Sequence, residues 1–290
     1  MREKSNIYGV TNQRMYLKLI VVLSAQLLVI SCADKQQKAA QTATAPQNAL
    51  VTEQNGIRTE TLSFFDKSRN RAVPVVLYSP AAGGNLAKGQ RPKRKLAILN
   101  HGYGNANTGY TFIAYNLVAQ GYLVASIQHE LPTDAPMAMT NNIMQDRKPH
   151  WERGVQNMLF VLQELKKTSY RPDYQSLLIV GHSNGGDMAM LFAQQHPDLV
   201  QKVISLDNRR MPLPRSKEVQ VLTLRSSDQV ADDGVLPTPV EQQKFGIQIV
   251  PMENLTHNDI WDGATEAKKQ EVNAVINKFL TAPAASGSTR

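Results

Sequence analysis

The stretch Leu177 to Phe192 reads LLIVGHSNGGDMAMLF, and Ser183 with its neighbours is the part of the chain best placed to do chemistry. Leu177 to Val180 have the length and branching of a buried strand, and a helix-like apolar run, Met188 to Phe192, follows almost at once. A strand that becomes a helix within five residues is a sharp corner. Its apex residue is forced into strained φ/ψ and its neighbours must lack Cβ atoms, a need that Gly181 and Gly185 meet. Ser183 at the apex would hold its Oγ above the sheet. The backbone N–H of Asn184, opening the new helix, would point at whatever Ser183 attacks. Ser183 is therefore read as a nucleophile. G-x-S-x-G alone is a common chance match, and the strand before it, the helix after it and a second glycine at Gly186 give it weight.

A serine hydroxyl is a poor nucleophile at neutral pH and requires a base within hydrogen-bond reach and an acid to orient that base. Of the six histidines, His257 lies between an apolar strand and the terminal helix, where a side chain can swing back over the strand ends. The order Ser, then Asp, then His is the one expected of this corner. For the acid, Asp228 is preferred, three residues past the strand ending at Arg225. Asp232 or Asp233 in the same loop, and Asp207 at the end of the preceding strand, are the alternatives. Attack on an acyl carbon also creates an oxyanion, and donors aimed at it often contribute most to the rate. The Asn184 N–H is one such donor. The second is assigned to the Tyr103 N–H, in a loop where Gly102 and Gly104 let the backbone approach.

Several elements must position these residues. Thr59 to Phe65 and Ala72 to Tyr78 read as an antiparallel hairpin, and 79–95, rich in proline and glycine, as a surface loop. Then strands alternate with helices: strands at Lys95 to Asn100, Tyr122 to Gln128, Ser176 to Val180, Lys202 to Leu206, Val219 to Leu224 and Phe245 to Val250. The helices are Thr108 to Ala119, Trp151 to Lys167, the run after Ser183 to His196, and Thr265 to Leu280. Such alternation implies an α/β fold with a mostly parallel sheet covered on both faces, with reactive groups at the carboxyl ends of its strands.

Composition narrows the classes. The 290 residues suffice for one ample core, and the apolar and charged fractions, 42% and 19%, are those of a globular protein. The formal charge of +8 includes Arg2, Lys4, Arg14 and Lys18 against Glu3 in the first 31 residues; the remainder carries 28 basic and 23 acidic residues, a net of +5. That charge is scattered and not interleaved with aromatics, so no nucleic-acid partner is expected. The stretch from Gly104 to Thr111 mimics a phosphate-binding loop but has Tyr110 where the lysine should be, and Gly102-x-Gly104 lacks a third glycine. Neither a histidine pair at i, i+4 nor a usable cysteine supports zinc, so no cofactor is expected.

The N-terminal segment has its own logic. Leu19 to Ile30 is an apolar run too short to span a bilayer, flanked by Arg14 and Lys18 and followed by Ser31 and Cys32, the chain's single cysteine. It resembles a bacterial lipoprotein signal over 1–31, which implies cleavage before Cys32 and a lipid on its thiol. Either Met1 or Met15 can start it. From residue 32 to 56 the chain is poor in large apolar residues and reads as a flexible tether; 57–283 forms the catalytic domain and 284–290 a disordered tail. A lipid-anchored protein of the cell envelope is the expectation, its partners the membrane and a small ester substrate.

Ser183, His257, the aspartate loop and His101-Gly102-Tyr103 together resemble an α/β-hydrolase. Asp66 to Pro80 (DKSRNRAVPVVLYSP), NHGYG and GHSNGG are similar to the dienelactone-hydrolase and platelet-activating-factor-acetylhydrolase-like branch. The resemblance spans roughly Thr59 to Thr281 and implies an eight-stranded, mostly parallel sheet and cofactor-free ester hydrolysis through an acyl-enzyme. Two departures matter. Only Asn208 to Glu218 separates two strands where the family has a helix or lid, so the site is expected to be open, with little or no lid. Dienelactone hydrolases proper use cysteine, so the serine argues against that reaction. The rival expectations are a serine peptidase of the same fold and a catalytically inactive binding protein of the envelope.

Overall fold

The computed structural model describes residues 50–81, 93–138 and 140–282. The signal segment 1–31, Cys32, the tether up to residue 49 and the tail 284–290 lie outside the described residues. Among the described residues nine strands form one sheet: β1 (Val51–Gln54), β2 (Ile57–Asp66), β3 (Arg71–Pro80), β4 (Arg94–Asn100), β5 (Tyr122–Ile127), β6 (Pro172–His182), β7 (Lys202–Leu206), β8 (Gln220–Arg225) and β9 (Gln248–Pro251). The helices among the described residues are α1 (Thr111–Ala119), α2 (Ile143–Lys166), α3 (Asn184–Gln195), α4 (Pro239–Phe245) and α5 (Glu266–Thr281), with a 3-10 turn at His257–Asp259.

The strand order is β1-β2-β3-β5-β4-β6-β7-β8-β9. Pairing is antiparallel from β1 through β3 to β5, and parallel from β5 onward. The alternating side-chain direction of a strand explains the two cores. Leu96 and Ile98 of β4, with Leu177 and Ile179 of β6, face Trp151, Met158 and Phe192 of α2 and α3. Ala97, Leu99, Leu178 and Val180 face the other way, onto Ile113, Leu117, Val272 and Ile276 of α1 and α5. Each such fully buried aliphatic side chain contributes about 1.5–3 kcal/mol, so the central strands are fixed from both faces. Gly154 lets α2 close on α3, because a Cβ there would run into the Met188 side chain.

Several boundaries differ from the sequence expectation. The sheet has nine strands, not eight, because residues 51–54 already belong to it rather than to a tether. Asn55 and Gly56 both have positive φ, at 51° and 73°, the turn that closes a tight hairpin onto β2. Helix α2 begins at Ile143, eight residues before Trp151. Asn142 caps it, accepting from the Gln145 N–H, and Pro149 sits inside, where it reads as a breaker. Phe245 ends a helix rather than starting a strand: Thr238 and Glu241 form a capping box around Pro239, and Gly246 at φ 67° terminates α4 before β9. The β7–β8 connection holds no helix, as expected from its length.

Candidate active site

The corner at Ser183 has the geometry that its glycines require. Ser183 sits at φ 54°, ψ −121°, a conformation that costs a non-glycine residue about 1–3 kcal/mol. It is held there by its N–H on the Leu206 carbonyl, at 3.0 Å, and by its carbonyl accepting the Asp187 N–H, at 3.0 Å. A Cβ on Gly181 would overlap the Gly185 carbonyl, and one on Gly185 would fall 2.5 Å from the Asn100 and His101 carbonyl oxygens. Strand β6, helix α3 and the end of β4 thus meet backbone to backbone.

Beside the corner, His257 Nε2 stands 2.9 Å from Ser183 Oγ, and His257 Nδ1 stands 2.6 Å from Asp207 Oδ2. An ionised carboxylate only accepts, so Nδ1 carries the proton and Nε2 is free to accept from the hydroxyl. Asp207 lies at the end of β7 with φ 61°, fully buried. Burial pushes its pKa up, but the His257 hydrogen bond, the Arg225 charge and the Ser226 hydroxyl and N–H outweigh it, and the net shift is downward. Asp207 is therefore ionised at neutral pH.

The preference for Asp228 as the acid is corrected here. Asp228 Oδ1 accepts the backbone N–H of His257 at 2.7 Å and does not meet the ring. Asp232 is exposed and paired with Arg209 at 3.0 Å, and Asp233 is exposed. The reason is the path of the chain. The histidine loop descends over β7, with the Thr256 and Asp259 capping box holding its 3-10 turn, so the imidazole reaches the β7 end while its backbone passes Asp228.

Of the two assigned donors, Asn184 is the first residue of α3, whose N–H has no partner within the helix. The loop carrying Tyr103 lies over the serine, since a Cβ on Gly102 would be 3.4 Å from Ser183 Cβ. Sequence reasoning missed what fixes that loop. His182 Nε2 lies 3.1 Å from the His257 carbonyl, so it must donate, leaving Nδ1 to accept from the Tyr110 hydroxyl at 2.8 Å. The Tyr110 oxygen in turn accepts the Gly102 N–H at 3.1 Å and Asn105 Nδ2 at 3.0 Å. Every proton in this chain has one consistent position. It links the histidine loop to the Tyr103 loop across 72 residues of sequence between Tyr110 and His182.

That chain requires a neutral His182. Burial above all, and then the neighbouring His257, drop its pKa to about 3. His101 and His129, behind the loop, are likewise lowered, chiefly by burial. His101 Nε2 accepts the His129 N–H at 3.0 Å, and His129 Nε2 meets Asn100 Oδ1 at 2.8 Å. The unfolded chain takes up the His182 proton near pH 6.5 and the folded chain only near pH 3. The stabilisation from His182 is thus complete above about pH 6.5 and is lost as pH falls toward 3, at up to about 1.4 kcal/mol per pH unit, and the lowered His101 and His129 act in the same direction. Urea midpoints measured between pH 7 and 4.5 should fall accordingly, and His182→Gln should flatten the slope by one proton. A profile unchanged by that substitution would contradict the assignment.

No group of three or more histidine, cysteine, aspartate or glutamate side chains among the described residues could hold a metal ion. Asn105, His182, Asn258 and Trp261 line a cleft of about 260 Å³ beside the histidine. A larger one, about 620 Å³, lies between Asp66 to Arg69 and α2, remote from the serine in its lining.

No protein-family model matches the sequence, and no curated protein matches it either. Solved structures do. One is a dienelactone hydrolase-like promiscuous phosphotriesterase from metagenomic libraries, 12% identical, covering 78% of this chain and 98% of its own, with a TM-score of 0.54. An S-formylglutathione hydrolase from Agrobacterium tumefaciens is 11% identical over 80% of this chain and 98% of its own, with a TM-score of 0.52. The esterase Est22, solved with p-nitrophenol, is 14% identical over 79% and 82%, with a TM-score of 0.54. With its mostly parallel sheet, the serine at the β6–α3 corner and these neighbours, the chain has the α/β-hydrolase fold.

Proposed function

We propose that the protein is a serine hydrolase that cleaves carboxylic esters of small or medium acyl groups through an acyl-enzyme. The observation that carries this reading is the unbroken line Ser183 Oγ, His257 Nε2, His257 Nδ1, Asp207 Oδ2, at 2.9 and 2.6 Å, on a strained corner. In it, His257 takes the serine proton as Oγ attacks the carbonyl carbon and then gives it to the departing alcohol; Asp207 holds the ring tautomer and the imidazolium charge. The Asn184 and Tyr103 N–H groups receive the oxyanion. Water, deprotonated by the same histidine, then releases the acid. Neighbours described as esterases and hydrolases support the reaction class.

The purified protein is expected to hydrolyse a short-chain 4-nitrophenyl ester and to be labelled by a fluorophosphonate probe at Ser183. Folded protein that takes no label would overturn the reading.

The site belongs, in this proposal, to a protein held at the cell envelope by lipid on Cys32, supported by the apolar run and basic flank before it. More than one acyl chain is what stable attachment needs. Wild-type protein should sediment with membranes and incorporate labelled palmitate, and Cys32→Ser should do neither; palmitate label persisting in Cys32→Ser would sink it.

A further inference from the structure

His257 rides on the segment between β9 and α5, and that segment is pinned behind the histidine. The Leu255 carbonyl accepts the Ser227 N–H at 2.9 Å and the Ser227 hydroxyl at 3.1 Å, and the His257 N–H rests on Asp228. A loop with one pin can pivot. The second pin lies further along, at Asp262, whose N–H donates to the Gly109 carbonyl at 2.9 Å. Its carboxylate crosses to the start of α1. Oδ2 accepts the Thr111 N–H at 2.8 Å and the Thr111 hydroxyl at 2.9 Å, and Oδ1 accepts the Phe112 N–H at 3.0 Å.

The first N–H groups of a helix have no partner inside it, and the side chain just before the first turn commonly covers them. In α1 that residue is Tyr110, which makes no capping bond, and the first turn holds no acid of its own. Asp262 supplies both the acceptor and the negative charge that the positive end of a helix favours. The helix it grips is itself fixed. Ile113, Ala114, Leu117 and Val118 of α1 are buried, and the Asn116 and Asn277 amides exchange two hydrogen bonds, at 2.9 and 3.0 Å, between α1 and α5. The Tyr110 phenol meanwhile accepts the Gly102 N–H and donates to His182, and His182 donates to the His257 carbonyl. The links close into a circuit that runs from His257 to Asp262, through the first turn of α1 to Tyr110, and back by His182.

We propose that Asp262 is a positioning residue for His257: by capping α1 it sets the place of the imidazole over Ser183, and through Tyr110 it holds the Tyr103 loop in the same frame. This rests on the serine-hydrolase reading above. The imidazole must satisfy two contacts at once, 2.9 Å to Ser183 Oγ and 2.6 Å to Asp207 Oδ2. A displacement of about 1 Å, caused by a change away from the chemistry, can cost about a hundredfold in rate. Without the Asp262 carboxylate the segment keeps its rear pin and one backbone bond, to Gly109, and the Thr111 and Phe112 N–H groups are left to water.

The test is steady-state kinetics of the full protein on 4-nitrophenyl butyrate. Asp262→Ala should lower kcat about thirtyfold or more, with KM within about twofold of the wild type. Asparagine accepts as well as aspartate at a helix start, so Asp262→Asn should bring kcat back to within about fivefold. Thr238→Ala removes the capping box of α4, a helix that carries none of the site residues, and should lower Tm without changing kcat. Unchanged kcat in Asp262→Ala, or an equal loss in Thr238→Ala, overturns the proposal. Should Asp262→Ala not fold, Thr111→Val removes only the hydroxyl bonded to Asp262 Oδ2; kcat should fall about threefold, and no fall overturns the proposal as well. The proton between His257 Nδ1 and Asp207 reports placement without turnover. Its downfield NMR resonance, identified by its loss in His257→Gln, should vanish in Asp262→Ala and persist in Asp262→Asn. A resonance lost in Asp262→Ala while the wild type hydrolyses no ester would keep the placement and sink the hydrolase. Equal hydrolysis by wild type and Asp262→Ala, with the resonance kept, would do the reverse.

Discussion

Asp207→Asn is expected to lower kcat on a short-chain ester by about four orders of magnitude, the scale of losing the correct tautomer in such a triad. Asp228→Asn should cost no more than about tenfold. Both oxygens of Asp207 are acceptors: Oδ2 receives His257 Nδ1 and the Ser226 hydroxyl, and Oδ1 receives the Ser226 N–H and faces Arg225. An amide must turn its NH₂ toward one of these sides. Keeping its oxygen on Arg225 and the Ser226 N–H points the NH₂ at the imidazole, which must then move its proton to Nε2 and can no longer accept from Ser183. At position 228 the amide oxygen still accepts the His257 N–H, so the loop is kept. Steady-state kinetics on the two variants, each checked for folding by circular dichroism, decides between them; reversed magnitudes would return the acid to Asp228.

The second large effect is on folding. Gly185→Ala should destabilise the protein by about 3 kcal/mol or more, the upper end of what an overpacked core costs. For a domain of this size that is roughly 6–12 °C in Tm, with activity lost. The new methyl would meet two backbone carbonyls, those of Asn100 and His101, at 2.5 Å. No flexible side chain is there to yield. Either the end of β4 moves, taking the Tyr103 loop with it, or α3 withdraws and Ser183 with it. Gly121→Ala is the comparison: φ is 87° but nothing lies within 4 Å of the added carbon, so only the left-handed penalty of about 1–2 kcal/mol is incurred. Thermal melts that lower the two variants equally would show that backbone crowding at the corner is not what demands glycine there.

What was legible in the sequence was local. The strand, corner and helix around Ser183 occupy sixteen consecutive residues from Leu177 to Phe192, and their steric rules need no distant partner. The alternation of apolar segments was equally readable, because a two-sided sheet demands near-continuous apolar strands. Some local signals were present but outweighed: Asn55-Gly56 announced the first hairpin, while Pro149 hid the start of α2. His257 followed from chain order. Whether its ring would turn to Asp207 or Asp228 did not, since both aspartates stand just past strand ends and only the descent of the histidine loop over β7 separates them.

The sequence alone therefore determined the strand, corner and helix around Ser183 and the class of fold. Tertiary structure decided which aspartate meets the His257 ring and the Tyr110–His182 link between two loops. Those depend on distances between residues 50 and 72 apart in the chain, and such distances are set by how the layers pack rather than by any neighbouring side chain.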